Sequence, residues 1–372
     1  MDTQEVTVES LVSGEQFRLL QPQKERLLLS LLKQQVIRSI ETSQYMKHFY
    51  EAYGSRPENI QHTADITPLP VTMFKNFKLQ TCPDEEVVRI LKSSGTTTGV
   101  PSMIPIDKTT AMRQTRALVS ILKSYLGTSR RPFLVMDTAS INDPDAGTIT
   151  ARGAAVRGIA NFARKTVYVM DDVGGELVPN LDRLRNFVEE YKGQEILAFG
   201  FTYIIWTRFL SALKEAKMKL DLPNIKILHS GGWKKLTAQA VTKDAFNRDV
   251  AEAFGTDPSN VIDFYGMVEQ LGVLFLDCPA GNKHAPDFAD VIIRDFYTMD
   301  EAPNGTPGLI EVLSTLATSY PSQAVLTEDV GEIRGVDDCP CGRKGKYFVF
   351  RARAERAEIR GCGDTFAESR RE

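Results

Sequence analysis

Between Gln21 and about Tyr53, apolar residues recur at Leu27, Leu28, Leu31, Leu32, Val36, Ile37 and Ile40. That spacing gathers them on one helical face and predicts an amphipathic helical opening. Thr67-Pro68-Leu69-Pro70-Val71 breaks the pattern, because proline removes a backbone donor and restricts the residue before it. Farther along, short continuous apolar runs at 133–136, 167–170, 196–199, 225–228 and 261–264 read as strands buried on both faces. Helical patterns occupy the intervals 109–126, 180–191, 203–217 and 237–254. The alternation predicts an α/β fold with a mostly parallel, helix-covered sheet. From Asp290 the runs shorten and turn signals such as Asn304-Gly305-Thr306-Pro307-Gly308 appear, which predicts a small β-rich subdomain. The expected organisation is an N-terminal helical segment over 1–80 packed on the core, an α/β core over 81–350 with its β-rich part from about 290, and a short C-terminal tail over 351–372.

A chain of 372 residues with 42% hydrophobic and 25% charged side chains has the composition of a globular protein. Its formal charge of -3 with both signs interspersed gives no electrostatic reason to expect nucleic acid or an anionic membrane surface. No apolar run reaches the length of a membrane span and the N-terminus carries no leader pattern, so a cytoplasmic location is expected. Five cysteines in such a context argue for metal-binding or catalytic thiols over a disulfide framework.

Candidate chemistry begins with Ile90-Leu91-Lys92-Ser93-Ser94-Gly95-Thr96-Thr97-Thr98-Gly99-Val100-Pro101-Ser102. Glycines let consecutive N–H groups converge on one anion, and the hydroxyls add donors, so the stretch suits a phosphate loop. It lacks the Walker spacing, and the same composition also serves plain surface loops. In open α/β sheets ligands sit beyond the carboxyl ends of strands. Three such ends stand out: His229-Ser230-Gly231-Gly232-Trp233-Lys234-Lys235, Asp263-Phe264-Tyr265-Gly266-Met267-Val268-Glu269-Gln270, and Leu326-Thr327-Glu328-Asp329-Val330-Gly331-Glu332. A phosphate loop, an aromatic beside a glycine, a carboxylate and an acidic turn are the parts of an ATP site. Separately, Cys278 and His284 with Cys339 and Cys341 supply three thiolates and one imidazole, a set that closes a tetrahedral Zn²⁺ shell; two unrelated turns with buried thiols would read the same. Cys82 reads as an ordinary thiol. The run from Phe199 to Trp206 suits either the wall of a hydrocarbon tunnel or plain core, and the small-residue stretch 151–158 suits close passage by a ligand.

The order of these segments resembles the adenylate-forming enzymes, and within them the acyl-protein synthetases of bacterial luminescence operons. The likeness rests on Ser93-Ser94-Gly95-Thr96-Thr97, Gly231-Gly232-Trp233-Lys234, the Tyr265-Gly266 turn with Glu269, and Arg360-Gly361-Cys362-Gly363-Asp364, and spans roughly 60 to 366. It implies that a fatty acid is activated with ATP to an acyl-adenylate, carried as a thioester on a cysteine near the C-terminus, and passed to a partner reductase resembling acyl-CoA reductases, within a fatty acid reductase complex of bioluminescence. Carried over by motif, Ser94, Gly95, Thr96, Thr97 and Thr98 would hold the β- and γ-phosphates. Glu269 would hold Mg²⁺, Tyr265 with Gly266 would flank the adenine, Asp329 would bind the ribose, and Arg353 would stand as the hinge arginine. Cys362 would be the acyl carrier, where flanking glycines give reach and Arg356 and Arg360 favour the thiolate. Two departures matter. The usual Thr before the glutamate is Val268, so a donor to the α-phosphate must come from Gly231, Gly232 or Lys234. The large mobile C-terminal domain of bigger relatives, with its lysine, is expected to be missing, which leaves Lys234 and Lys235 as the candidate cations. Related phenylacetate-CoA ligase-like enzymes show a similar Cys, His and Cys-x-Cys pattern with zinc. A ligase of that kind, releasing an acyl- or aryl-CoA, is the nearest alternative, and a non-catalytic nucleotide-binding scaffold for the reductase is the alternative from another class.

Overall fold

The computed structural model describes residues 6–92, 102–142, 151–232 and 240–354. Helix α1 (Val8–Ser13) opens on a capping box in which Thr7 accepts from the Ser10 N–H, relieving donors that the first helical turn cannot pair. The expected helical opening is two helices, α2 (Gln21–Thr42) and α3 (Gln44–Ala52), which part at Ser43, where the backbone is extended. The break turns the apolar edge of α3, with Met46, Phe49 and Tyr50, into the same core that Leu28, Leu32 and Val36 enter from α2.

One buried position on α2 is charged. Lys24 is fully enclosed, with its ammonium 3.2 Å from an equally enclosed Asp290 carboxylate and 3.2 Å from the Ala285 carbonyl that accepts from it. Burial works against the charge on Asp290, but Lys24, Lys346 and the Gln21 amide outweigh it and hold that carboxyl below its ordinary range. The first N–H of α2 donates to Asp337 at 2.9 Å, so both ends of this contact tie the N-terminal segment to the strands beyond residue 289.

Those strands form one of two large sheets. A hairpin comes first, β1 (Val87–Lys92) against β2 (Met103–Asp107), on either side of the hydroxyl-rich stretch. Asp107 then caps α4 (Lys108–Leu126) by accepting from the Thr110 N–H at 2.7 Å. The first large sheet holds β3 (Arg131–Val135), β4 (Ala163–Tyr168), β5 (Ile196–Phe201), β6 (Ile225–Ser230), β7 (Val261–Tyr265) and β8 (Phe275–Leu276) in the order β8-β7-β6-β5-β3-β4, parallel except for β8. Four of the five predicted strands are present with bounds shifted or extended by one or two residues, whereas of the run 167–170 only Val167 and Tyr168 end β4, and Met170 opens a separate short hairpin of Met170–Val173 with Glu176–Pro179. The order reverses between β3 and β5, which makes a crevice at their carboxyl ends the natural ligand position. The second large sheet is antiparallel, β9 (Lys283–His284), β13 (Lys346–Arg353), β12 (Ala324–Val336), β11 (Gly308–Ser314) and β10 (Ala289–Arg294) in that order, with the segment Leu69–Pro70 laid parallel on β12. The expected β-rich part is thus a full sheet whose strand β13 runs to Arg353.

Helices α5 (Ala151–Ile159), α6 (Leu181–Tyr191) and α7 (Lys243–Phe254) cover the parallel sheet. Between β5 and β6 the predicted helix 203–217 contains a π-helical stretch, Ile205–Leu210, and the helix expected at 237–254 starts at Lys243 behind its Thr242 cap. Where α5 crosses α4, Gly158 is required: a Cβ there would lie 2.2 Å from Leu118 Cδ2. Among the described residues no helix is long and apolar enough to cross a membrane.

Removing the ammonium of Lys24 would strand a buried carboxylate. Lys24→Met is expected to cost about 3–5 kcal/mol in chemical denaturation, with much of the loss recovered when Asp290→Leu is added; an additive double variant would contradict the pairing.

Candidate functional site

Strands from both sheets end at one place. Tyr265 closes β7 and its hydroxyl donates to Asp329 Oδ2 on β12 at 2.9 Å. On the neighbouring strand Arg353 is the direct cross-strand partner of Asp329, with Nε 3.7 Å from Oδ1. The Tyr265 ring lies between Phe350 and Phe275, at 5.7 and 6.0 Å between centroids, with Phe348 edge-on. Burial raises the Asp329 carboxyl above its usual range while Tyr265 and Arg353 pull it down, and the Tyr265 phenol is pushed well up by burial and by that carboxylate. The structure therefore brings together three residues selected from sequence, Tyr265, Asp329 and Arg353, across two sheets.

Glu269 follows on the turn Val268–Gln270 and is buried. Burial is the largest influence on it and raises its carboxyl, with a hydrogen bond from Ser102 and the charges of Lys75 and Arg353 acting in the opposite sense. Ser102 and Lys75 were not singled out from sequence. Ser102 closes the hydroxyl-rich stretch itself, whereas nothing in the local pattern around Lys75 marks it. Gly231, directly after β6, has φ of +90° and its missing Cβ would stand 3.0 Å from the Phe201 ring, so a side chain there would be strained and crowded. Gly232 and Gly266 are exposed at the same strand ends. Ser94, Gly95, Thr96, Thr97, Thr98, Lys234 and Cys362 lie outside the described residues.

Beneath these strand ends runs a buried polar chain that the sequence reading did not foresee. Lys283 donates to Asp263 Oδ2 at 2.7 Å and to Asp277 Oδ1 at 3.2 Å, and Lys243 reaches Asp277 Oδ2 at 2.7 Å. His229 Nδ1 lies 3.0 Å from Thr202 Oγ1 and 3.8 Å from Asp263. Burial disfavours the Lys283 charge, yet Asp263 and Asp277 prevail and raise its pKa, while burial keeps His229 neutral by lowering its own.

The donor atoms of Cys278, His284, Cys339 and Cys341 all lie within 4.8 Å of one another. Cys278 Sγ is 3.8 Å from Cys339 Sγ, and Cys341 Sγ is 3.3 Å from His284 Nε2. A tetrahedral shell with Zn–S bonds of about 2.3 Å has sulfur–sulfur edges of about 3.8 Å, so the set is spaced for that ion. Burial pushes the Cys278 thiol up to about 12 and lowers His284 to about 4. The imidazole is thus ready to ligate, and the thiol needs a cation to become thiolate. Cys82 instead sits near Glu86 and Asp107, but Asp107 is already engaged as the α4 cap and by the Thr318 hydroxyl.

Beside Glu269 opens an apolar cavity of about 140 Å³, walled by Leu118, Ala155, Ile159, Phe201, Phe264 and Val273 among others. Of the run from Phe199 to Trp206, Phe201 lines it, whereas Phe199, Ile204 and Ile205 are core. Ala154 and Ala155 bring the small-residue stretch into its wall, and Val268, found where the resemblance calls for Thr, adds to its apolar lining.

Because the folded state raises the Glu269 carboxyl, ionising it costs stability as pH rises through the ordinary carboxylate range. Glu269→Gln is therefore expected to raise the melting temperature at neutral pH while abolishing acid-dependent pyrophosphate exchange. A variant that lost stability and kept exchange would remove Glu269 from the site.

Comparison with known proteins bears on the family and the fold. The family profile described as "Acyl-protein synthetase, LuxE" matches residues 1–370. A long-chain-fatty-acid–luciferin-component ligase of Vibrio harveyi is 23% identical over 316 residues, covering 84% of this chain and 80% of that protein. The ligase of the same name from Aliivibrio fischeri is 25% identical over 288 residues, covering 75% and 73%. Among solved structures, 2-hydroxyisobutyryl-CoA ligase with 2-HIB-AMP and CoA in the thioesterification state superposes with a TM-score of 0.65 at 16% identity, over 90% of this chain and 71% of that one. The open conformation of the same ligase gives 0.63 at 16%, over 89% and 72%. The fold is that of the adenylate-forming ligases.

Proposed function

The chain belongs to the LuxE acyl-protein synthetase family and is an acyl-activating ligase, and from that premise we propose that it joins a fatty acid to a thiol through an acyl-adenylate made from ATP. The observation that carries the reading is the meeting of Tyr265, Asp329 and Arg353 from two sheets beside the buried Glu269 and an apolar cavity. In this reading the hydrocarbon chain enters the cavity and its carboxylate stays at the opening. A carboxylate oxygen attacks the α-phosphorus of ATP, the bond to the β-phosphate oxygen breaks, and pyrophosphate leaves. Asp329, whose Oδ2 is held by Tyr265, takes the ribose hydroxyls through its remaining lone pairs, and Arg353 neutralises charge near the phosphates. Gly231, Gly232 and Gly266 let the backbone approach the base, which Tyr265 flanks. Bound Mg²⁺ supplies charge neutralisation on the phosphates, and Glu269 is the residue that would hold it. Ser94, Gly95, Thr96, Thr97 and Thr98 cradle the β- and γ-phosphates, with Lys234 as a further cation.

The second half-reaction belongs to Cys362: its thiolate attacks the acyl carbon, a thioester forms, and AMP departs with the bonding electron pair. The acyl group is then presented to a partner reductase of the acyl-CoA-reductase kind. The Cys278, His284, Cys339 and Cys341 set is proposed to hold a structural Zn²⁺. It would fasten the β8 edge of the parallel sheet to β9 and the β12–β13 turn, with no part in the chemistry.

Intact-protein mass spectrometry after incubation with MgATP and a panel of fatty and aromatic acids tests the reading. An ATP-dependent acyl adduct is expected on the wild type and absent from Cys362→Ser. Pyrophosphate release that needs CoA, with no adduct on any acid, would replace it with a CoA ligase; saturable ATP binding without acid-dependent exchange would leave a scaffold.

Metal analysis of the purified protein is expected to give one zinc per chain, falling in Cys339→Ser, with chelation lowering the melting temperature. A metal-free protein of unchanged stability would refute the zinc assignment.

A further inference from the structure

The cavity beside Glu269 has one charged residue in its wall, Lys92. Its neighbours there are aliphatic or aromatic, apart from Ser230 and the glycines 266 and 272. Of all the lining residues only Lys92 and Gly266 are exposed, while Leu91, Ile159, Phe264, Gly272 and Val273 are buried. These two therefore mark the opening, and the others mark the depth. Gly266 belongs to the turn that follows Tyr265 and leads to Glu269. Lys92 is the last residue of β1, paired with Met103 across the hairpin, and immediately precedes the hydroxyl-rich stretch. No carboxylate among the described residues pairs with its ammonium, in contrast to Lys24, Lys283 and Lys346, each of which is engaged.

A lysine at the rim of an apolar cavity lays its methylenes along the wall and keeps its ammonium in water. A fatty acid placed in the cavity has the matching division, an apolar chain inside and an anion at the rim. We propose that Lys92 is the residue that binds the substrate carboxylate, and this rests on the ligase reading above. The ammonium fixes the anion beside the Gly266 turn, where the α-phosphate is expected. It also offsets the repulsion between two anions that must approach before the carboxylate oxygen can attack phosphorus. The step needs no proton transfer: the attacking carboxylate carries no proton and the departing pyrophosphate takes the electron pair of the broken P–O bond. Selection follows from the same contact, since a neutral amphiphile of equal length fills the cavity without engaging the ammonium, and an acid gains a charge-assisted hydrogen bond.

The test compares wild type, Lys92→Met and Lys92→Arg in two measurements. Pyrophosphate exchange is run over straight-chain acids from butanoate to hexadecanoate, and direct binding is measured for each acid and the matching primary alcohol. Lys92→Met is expected to raise KM for the acid about tenfold or more and to lose the preference for acid over alcohol. Alcohol affinity and KM for ATP should stay within about twofold, and Lys92→Arg should restore most of the acid binding. An unchanged acid KM in Lys92→Met overturns the assignment. Equal loss of acid and alcohol binding also overturns it, as damage to the cavity, and so does a rise confined to KM for ATP, as support of the phosphate loop. If no acid in the series supports exchange by the wild type, the ligase reading itself falls and this one with it.

Discussion

The ion pair between Lys283 and Asp263 is the constraint on which the site depends. An ammonium this deep is tolerable only with carboxylates in place, and it has two, from Asp263 on β7 and from Asp277 just beyond β8. Lys283 itself belongs to β9, in the antiparallel sheet. The charge can be satisfied only when the two sheets meet in one register. That register also sets Tyr265, two residues after Asp263, against Asp329 of the facing sheet. His229 extends the same chain to β6 and Thr202 to the end of β5, so the strand ends that carry the candidate site share one buried support.

The cysteine and histidine set acts on the same junction from outside. Cys278 follows β8, His284 ends β9, and Cys339 and Cys341 sit in the turn between β12 and β13. A metal ion there would constrain the loop that holds Lys283, and the buried pair would in turn hold the strand that delivers Tyr265. The N-terminal segment grips the far side of that turn: Asp337 accepts from the first N–H of α2 and from the Gly345 N–H.

Much of this was legible in the chain, for a physical reason. Strands buried on both faces announce themselves as apolar runs, as at 133–136, 196–199, 225–228 and 261–264, whereas β4, at the sheet edge and only partly covered, shows such a run only where it ends. Asp329 matched a motif, but the acidic turn expected at 326–332 is the middle of the continuous strand β12; Tyr265 and Arg353 were legible because each ends a strand and matches a motif. The Lys283, Asp263 and His229 chain was not, since each member is an isolated polar residue whose partner lies in another element, and no local period records a contact between sheets. The division of α2 from α3 at Ser43 was missed because the apolar spacing runs on across it. The π-helical stretch Ile205–Leu210 leaves no mark in a 3.6-residue pattern either. The cavity was half legible: Phe201 belonged to a run that read equally as core, and most of that run is core.

The two walls of the cavity have different obligations. Its rim is made from the turn after Tyr265 and from the end of β1, which in the proposed reading face the nucleotide. Another part of its wall comes from α4 and α5, through Leu118, Ala154, Ala155 and Ile159. In the proposed reading, exchanges at Ala154 or Ala155 would reshape the space for the acid without touching the residues at the rim. On that reading, choice of acid and its activation would rest on different elements, the helices shaping the space and the strand ends carrying the chemistry.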